Sequence, residues 1–340
     1  MGLRVIPKIP TGALRLLSGG RSVTIDGNTL DPTLQLMLSV QRAAGIERLI
    51  VEDDPVASRR EFRKTAVALG GAELHAGITE LSIPGPAGEI RARHYRPAGV
   101  GPRSLLVYFH GGGWVVGDLD SYNALCRLTC RNADIQVLSI DYRLAPEHKA
   151  PASLDDAYAA FLWAHEHAAE LGGIPGRVAV GGDSAGGNLS AAVSLRARDD
   201  GGPLPVLQWL IYPSTDQSGN TRSRTLFANG FLLTKRDIDW FSAHHLDDSG
   251  VQRTDPRVSP LLAEDLSGLS PALVVTAGFD PLRDEGDSYA AALRAAGNIV
   301  DHRQMGSMIH GFANLFPLGG GSAVATAEMI SAVRAHLSRT

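Results

Sequence analysis

The sequence predicts an α/β fold, a mostly parallel central sheet flanked by helices and covered by a helical cap. Apolar runs at residues 104–109, 135–140, 178–180, 206–212, 272–278 and 299–305 are spaced as repeated strand–helix–strand units. Glycine-rich or polar turns follow several of these runs directly, and in open parallel sheets ligands sit at such strand ends. Two stretches, residues 1–77 and 215–261, stand outside the alternation and read as helices instead.

Composition narrows the function. With 340 residues the chain has ample material for a core, and its 44% hydrophobic content is ordinary for a globular protein. A net charge of −4 leaves no nucleic-acid footprint. No apolar run approaches the ~18 residues that span a bilayer, so no stable membrane insertion is expected. Pro7, Lys8 and Pro10 interrupt any signal-peptide core, and Ile6 occupies the place where a myristoylation motif following Gly2 needs Ser or Thr. A cytoplasmic protein is the expectation. The alternative is that Leu14, Leu16 and Leu17, with Arg4, Lys8 and Arg15 nearby, touch a membrane surface.

Along the chain, Asp31-Pro32 and Asp54-Pro55 each place an N-cap Asp before a Pro at the first helical position. Leu34, Met37 and Leu38 line one of these helices, and Phe62, Ala66 and Leu69 the other. The strand at 104–109 runs into His110-Gly111-Gly112-Gly113-Trp114. Consecutive glycines leave backbone N–H groups unobstructed, as an oxyanion hole requires. The N–H groups of Gly112 and Gly113 are the candidates. A rival reading is a dinucleotide fingerprint, Gly111-x-Gly113-x-x-x-Gly117 with Asp141 further on. Its third glycine and its acid both come late, so the spacing counts against it.

The run Val178-Ala179-Val180 ends in Gly182-Asp183-Ser184-Ala185-Gly186, a strand–turn–helix nucleophile elbow. Small residues two before and two after the serine are needed because strand and helix backbones nearly touch there. Ser184 is the nucleophile, and the N–H of Ala185 a further oxyanion donor. Asp280 follows the run 272–278, and His310 follows the strand-like 299–305. The order Ser184, Asp280, His310 is that of an α/β-hydrolase. A serine hydroxyl needs an imidazole to take its proton, and the imidazole needs a carboxylate to fix its tautomer. Asp284, Glu285 and Asp287 lie close by, but in the first turn of the next helix, where the helix dipole favours acids without catalysis.

These motifs, with Asp141-Tyr142-Arg143-Leu144-Ala145-Pro146-Glu147, Asp280-Pro281-Leu282-Arg283-Asp284-Glu285-Gly286 and His310-Gly311-Phe312, appear in the order of the bacterial hormone-sensitive-lipase-like carboxylesterases. Over roughly residues 78–338 the chain resembles that family's GDSAG branch. It looks most like the Lip-type esterases, a resemblance that extends into the N-terminal helices. The resemblance implies an α/β-hydrolase acting on small-molecule acyl esters of short to medium chain, with no cofactor and no metal. It implies that His110 buttresses the oxyanion loop, that residues 1–77 and 215–261 form the cap over a core of 78–214 and 262–340, and that a homodimer forms through the last strand and helix. Trp114, Tyr212, Phe231, Leu233 and Phe312 are the expected pocket lining.

Other polar clusters read as structural. Cys126 and Cys130 share a helix face with no further Cys to complete a metal site, so both are expected to pack as small apolar groups. His165, His167, His244 and His245 are expected at the surface or at helix ends. Arg143 is expected to be buried with Asp141 and Glu147 as its partners.

Overall fold

The computed structural model describes residues 10–50, 53–70 and 76–338. The basic and prolyl residues Arg4, Pro7 and Lys8, on which the membrane and targeting arguments turn, lie outside that set, as do Gly2 and Ile6.

The chain opens with α1 (Thr11–Leu17), a two-stranded ribbon of β1 (Thr24–Ile25) and β2 (Asn28–Thr29), α2 (Pro32–Ala43) and α3 (Pro55–Leu69). Asp31 accepts the N–H groups of Thr33 and Leu34, and Asp54 accepts that of Ala57, so both helices start where their Asp-Pro pairs put them. An antiparallel hairpin follows, β3 (Gly77–Gly85) and β4 (Gly88–Arg96). Then come β5 (Arg103–Phe109), α4 (Asn123–Ala133), β6 (Gln136–Asp141), α5 (Ala152–Glu166), β7 (Gly173–Asp183), α6 (Ala185–Asp199) and β8 (Gln208–Ile211). The stretch 215–261 carries α7 (Arg222–Leu226) and α8 (Lys235–Leu246), and the chain closes with β9 (Ala272–Phe279), α9 (Arg283–Ala295), β10 (Val300–Ile309) and α10 (Gly320–Ser338).

Eight strands form one sheet in the order β10-β9-β8-β7-β5-β6-β4-β3. The six from β5 to β10 pair in parallel, and β4 pairs antiparallel with both β6 and β3. This is the α/β-hydrolase fold. Alternation along each strand feeds two cores. Leu106, Tyr108, Trp209 and Val275 face α4 and α10, whereas Leu105, Val107, Phe109 and Val180 face α5 and α6. All eight residues of β9 are buried, so the strand that leads into Asp280 is fixed from both faces.

The first glycine loop, after β5, turns without forming a helix, and α4 begins only at Asn123. A dinucleotide fingerprint needs a helix N-terminus there, so that rival reading fails. Cys126 and Cys130 are free and buried on α4, and burial pushes both thiols up to about 12.

Candidate active site

Ser184, Asp280 and His310 each occupy the position immediately after a strand, β7, β9 and β10 respectively. The sheet therefore brings three residues far apart in sequence to one edge. Ser184 has φ 55° and ψ −115°, a strained conformation of the kind that costs roughly 1–3 kcal/mol and persists only where the surroundings impose it. The imposition is visible in the neighbouring glycines. A Cβ on Gly182 would lie 2.2 Å from the Phe109 carbonyl oxygen, and one on Gly186 only 1.8 Å from it.

The Ser184 hydroxyl donates to Nε2 of His310 at 2.9 Å, and the opposite ring nitrogen, Nδ1, donates to Asp280 Oδ2 at 2.8 Å. Asp280 is fully buried, and its other oxygen accepts the N–H of Leu282 at 2.8 Å. The neighbouring acids are engaged elsewhere. Asp284 accepts the N–H of Ser223, buried Glu285 is paired with Arg224 at 2.7 Å, and Asp287 accepts the hydroxyl of Thr276.

Gly112, Gly113, Ser184, Ala185 and His310 border one cavity of about 440 Å³. Gly112 and Gly113 have φ of 109° and 59°, and among the described residues their N–H groups have no protein acceptor. Asp183 lies behind them. Its carboxylate accepts Tyr108 Oη at 2.8 Å, Gly111 N–H at 2.9 Å, Tyr122 Oη at 3.2 Å and the Asn314 amide at 3.4 Å. Burial nonetheless pushes the Asp183 carboxyl above the usual carboxylate range. The His110 ring stacks on Tyr142 at 4.3 Å, and its Nδ1 lies 2.7 Å from Gly111 O, while burial pushes its pKa down. A neutral His110 wedged under the loop is not positioned to serve Ser184 as a base.

The walls of the cavity come from both segments outside the alternation: Met37 of α2, Phe62 and Ala66 of α3, Leu233, and Ile238 and Phe241 of α8. The two segments also touch, because Asp237, which caps α8, accepts the N–H groups of Leu49 and Ile50 at 3.1 and 3.0 Å. Of the expected lining residues, Trp114 and Leu233 border the cavity. Tyr212, Phe231 and Phe312 do not. Tyr212 and Phe312 are buried behind His310, with the Tyr212 ring 4.7 Å from the imidazole, and Phe231 packs on Phe227 and Phe279. None of the three lies within a strand: Tyr212 follows β8, Phe312 opens a short helical turn after His310, and Phe231 sits between α7 and α8, so their direction is set by tertiary packing and not by sequence spacing.

One further expectation is corrected. Arg143 is half-buried and pairs with Asp156 of α5 at 2.8 Å, whereas Glu147 pairs with Arg59 and Asp141 faces Arg91 at 3.5 Å. Nearness in sequence misled because the chain turns between 141 and 147 and the partners arrive from other elements, α5, α3 and β4. His245 lies at a helix end, in the last turn of α8, as expected. It is buried and stacks on Trp114 at 4.4 Å, and burial lowers its pKa to about 3. Among the described residues no cluster of acids, His and Cys could hold a metal ion, and no helix is long and apolar enough to cross a membrane.

A serine on a strand–helix elbow, a histidine bonded to it and a buried carboxylate bonded to that histidine stand together at the strand ends of an α/β sheet, the arrangement of side chains found in serine hydrolases. The chain belongs to the alpha/beta hydrolase fold family, whose sequence pattern matches residues 106–314, within its hormone-sensitive-lipase-like group. It is 68% identical to Carboxylic ester hydrolase LipN of Mycobacterium tuberculosis, an alignment covering all of this chain and 92% of LipN. It is 42% identical to Carboxylesterase NlhH of the same organism, across 92% of this chain and 98% of NlhH. Among solved structures, an alpha/beta hydrolase enzyme from the metagenome of Lake Arreo, Spain, matches with a TM-score of 0.84 at 40% identity, covering 90% of this chain and 98% of that one. A variant of esterase rPPE matches with a TM-score of 0.87 at 34% identity, covering 94% and 100%.

Proposed function

We propose that this carboxylic ester hydrolase cleaves short- to medium-chain acyl esters through an acyl-enzyme. Ser184 Oγ attacks the ester carbonyl carbon while His310 Nε2 takes its proton. Asp280 holds the imidazole in the tautomer that accepts at Nε2 and stabilises the cation that forms. The N–H groups of Gly112, Gly113 and Ala185 receive the negative charge on the tetrahedral oxygen. Each such donor is worth roughly 2.7–4 kcal/mol of barrier. Collapse breaks the bond to the alkoxy oxygen, which takes the proton from His310 and leaves as the alcohol. Water then attacks the acyl carbonyl and gives a proton to His310, which passes it to Ser184 Oγ as the acyl–oxygen bond breaks, releasing the acid and free Ser184.

The observation that carries this reading is the hydrogen-bonded line Ser184–His310–Asp280 opening into a cavity walled mainly by apolar side chains. Residues 1–77 and 215–261 act in it as the cap that shapes the acyl and alcohol pockets. The test is a turnover screen of p-nitrophenyl esters from two to sixteen carbons. Peak turnover among the short and medium chains is expected; a peak at palmitate or no turnover at all overturns the reading. The same reading keeps the enzyme in the cytoplasm and as a homodimer, for which β10 offers a sheet edge. Cell fractionation and light scattering test those two points.

A further inference from the structure

The loop carrying Gly112 and Gly113 is held under strain. Trp114 follows them with φ 61°, in the left-handed region that a bulky side chain disfavours. Such a conformation lasts only where its surroundings over-determine it. Two grips do so, one from each segment outside the strand–helix alternation. From α3, Arg59 Nε donates to Val115 O at 2.8 Å and a terminal nitrogen donates to Ala145 O at 2.7 Å, with Glu147 bracing the guanidinium at 2.8 Å. The Ala145 N–H donates in turn to Trp114 O at 2.9 Å, so the loop is stapled to the 145–147 turn through consecutive carbonyls. From α8, the His245 ring lies flat on Trp114, tilted by 3°, and the Phe241 ring fills the space a Gly113 side chain would need. Neither Arg59 nor His245 borders the cavity that holds Ser184.

We propose that Arg59 and His245 are positioning residues for the oxyanion hole, so that the cap segments aim the Gly112 and Gly113 N–H groups as well as walling the pocket. The proposal rests on the esterase reading above. Donors fixed in advance stabilise the transition state because they need no reorganisation when charge develops, and small misplacements are costly. A positioning residue therefore affects kcat and the affinity for a tetrahedral adduct, and leaves ground-state binding alone.

The experiment measures kcat, KM and the inhibition constant of a trifluoromethyl ketone, which forms a tetrahedral adduct with the serine, for the full chain and its Arg59→Met, Arg59→Lys, His245→Ala and His245→Phe variants. For Arg59→Met and His245→Ala, kcat is expected to fall about 10–100-fold, with ketone binding weakened by a similar factor and KM changed little. His245→Phe, which keeps the stack, should recover most of kcat. Arg59→Lys, which can serve only one of the two carbonyls, should fall between wild type and Arg59→Met. If a large variant does not fold, as judged by thermal unfolding, Arg59→Lys and His245→Phe are held to the same comparison. Unchanged kcat, a loss carried by KM with ketone binding intact, or His245→Phe as poor as His245→Ala overturns the proposal. A wild type that turns over no ester overturns the esterase reading instead, which separates the two failures.

Discussion

The carboxylate of Asp183 accepts the backbone N–H of Gly111 at 2.9 Å, which makes the residue before Ser184 an anchor for the loop that faces it. The elbow and the glycine loop are thus one hydrogen-bonded unit. The same carboxylate collects two tyrosine hydroxyls, from Tyr108 of β5 and from Tyr122 just before α4. A buried acid with this many donors is a hub, and its removal affects several elements at once.

Asp183→Ala leaves the Tyr108 and Tyr122 hydroxyls and the Gly111 N–H without their acceptor. Unpaired buried donors cost ~1–3 kcal/mol each, so a loss of at least about 2 kcal/mol is expected in urea unfolding. Activity should fall as well. An Asp183→Ala protein with native stability would show that the hub contributes nothing.

Ser184→Ala should abolish labelling by a fluorophosphonate and reduce ester turnover by about 10⁴-fold or more, leaving only the contribution of binding and the oxyanion hole. Labelling that survives would move the nucleophile elsewhere.

Asp280→Asn should lower kcat by about 10⁴-fold with folding intact, because the amide favours the wrong histidine tautomer. Asp284 instead accepts the Ser223 N–H and Arg283 Nε, so Asp284→Asn should act mainly on stability. An inactive Asp284 variant beside an active Asp280 variant would reverse the assignment.

The Arg59 guanidinium holds the Glu147 carboxyl down to about 2, against 4.5 for an unperturbed glutamate. A depressed carboxylate contributes stability that is complete above its unfolded pKa and is lost as the pH falls through the folded one. The melting temperature of the wild type should therefore drop more steeply between pH 4.5 and about 2 than that of Glu147→Gln. Because Glu147 is half exposed, solvent screening keeps the difference near neutral pH small. Parallel curves across that window would remove the pair from the acid response.

Ala66→Phe would push a ring from α3 into the cavity. Turnover of the longer p-nitrophenyl esters should decline relative to the acetate. A profile identical to wild type would take α3 out of the substrate path and weaken its assignment to the cap.

The sequence by itself determined the parallel sheet, the starts of α2 and α3, and the three residues at the strand ends. Those features are local: a pleated run, an Asp-Pro cap or a Gly-x-Ser-x-Gly turn is set by neighbours a few positions away, and the chain order of serine, acid and histidine follows from the topology. The glycines at 182 and 186 were legible for the same reason, since the crowding they relieve belongs to the turn itself. What only the tertiary structure decided is which side chains meet across distance. Glu147 finds Arg59 rather than Arg143, Asp183 reaches back to Gly111, His245 stacks on Trp114, and Tyr212 and Phe312 turn behind His310 instead of into the cavity. None of these leaves a periodic or spaced signal in the chain. Each pairing is fixed by burial and by the need of a buried polar or aromatic group for a partner, and the partner is chosen by the packing of whole elements against one another.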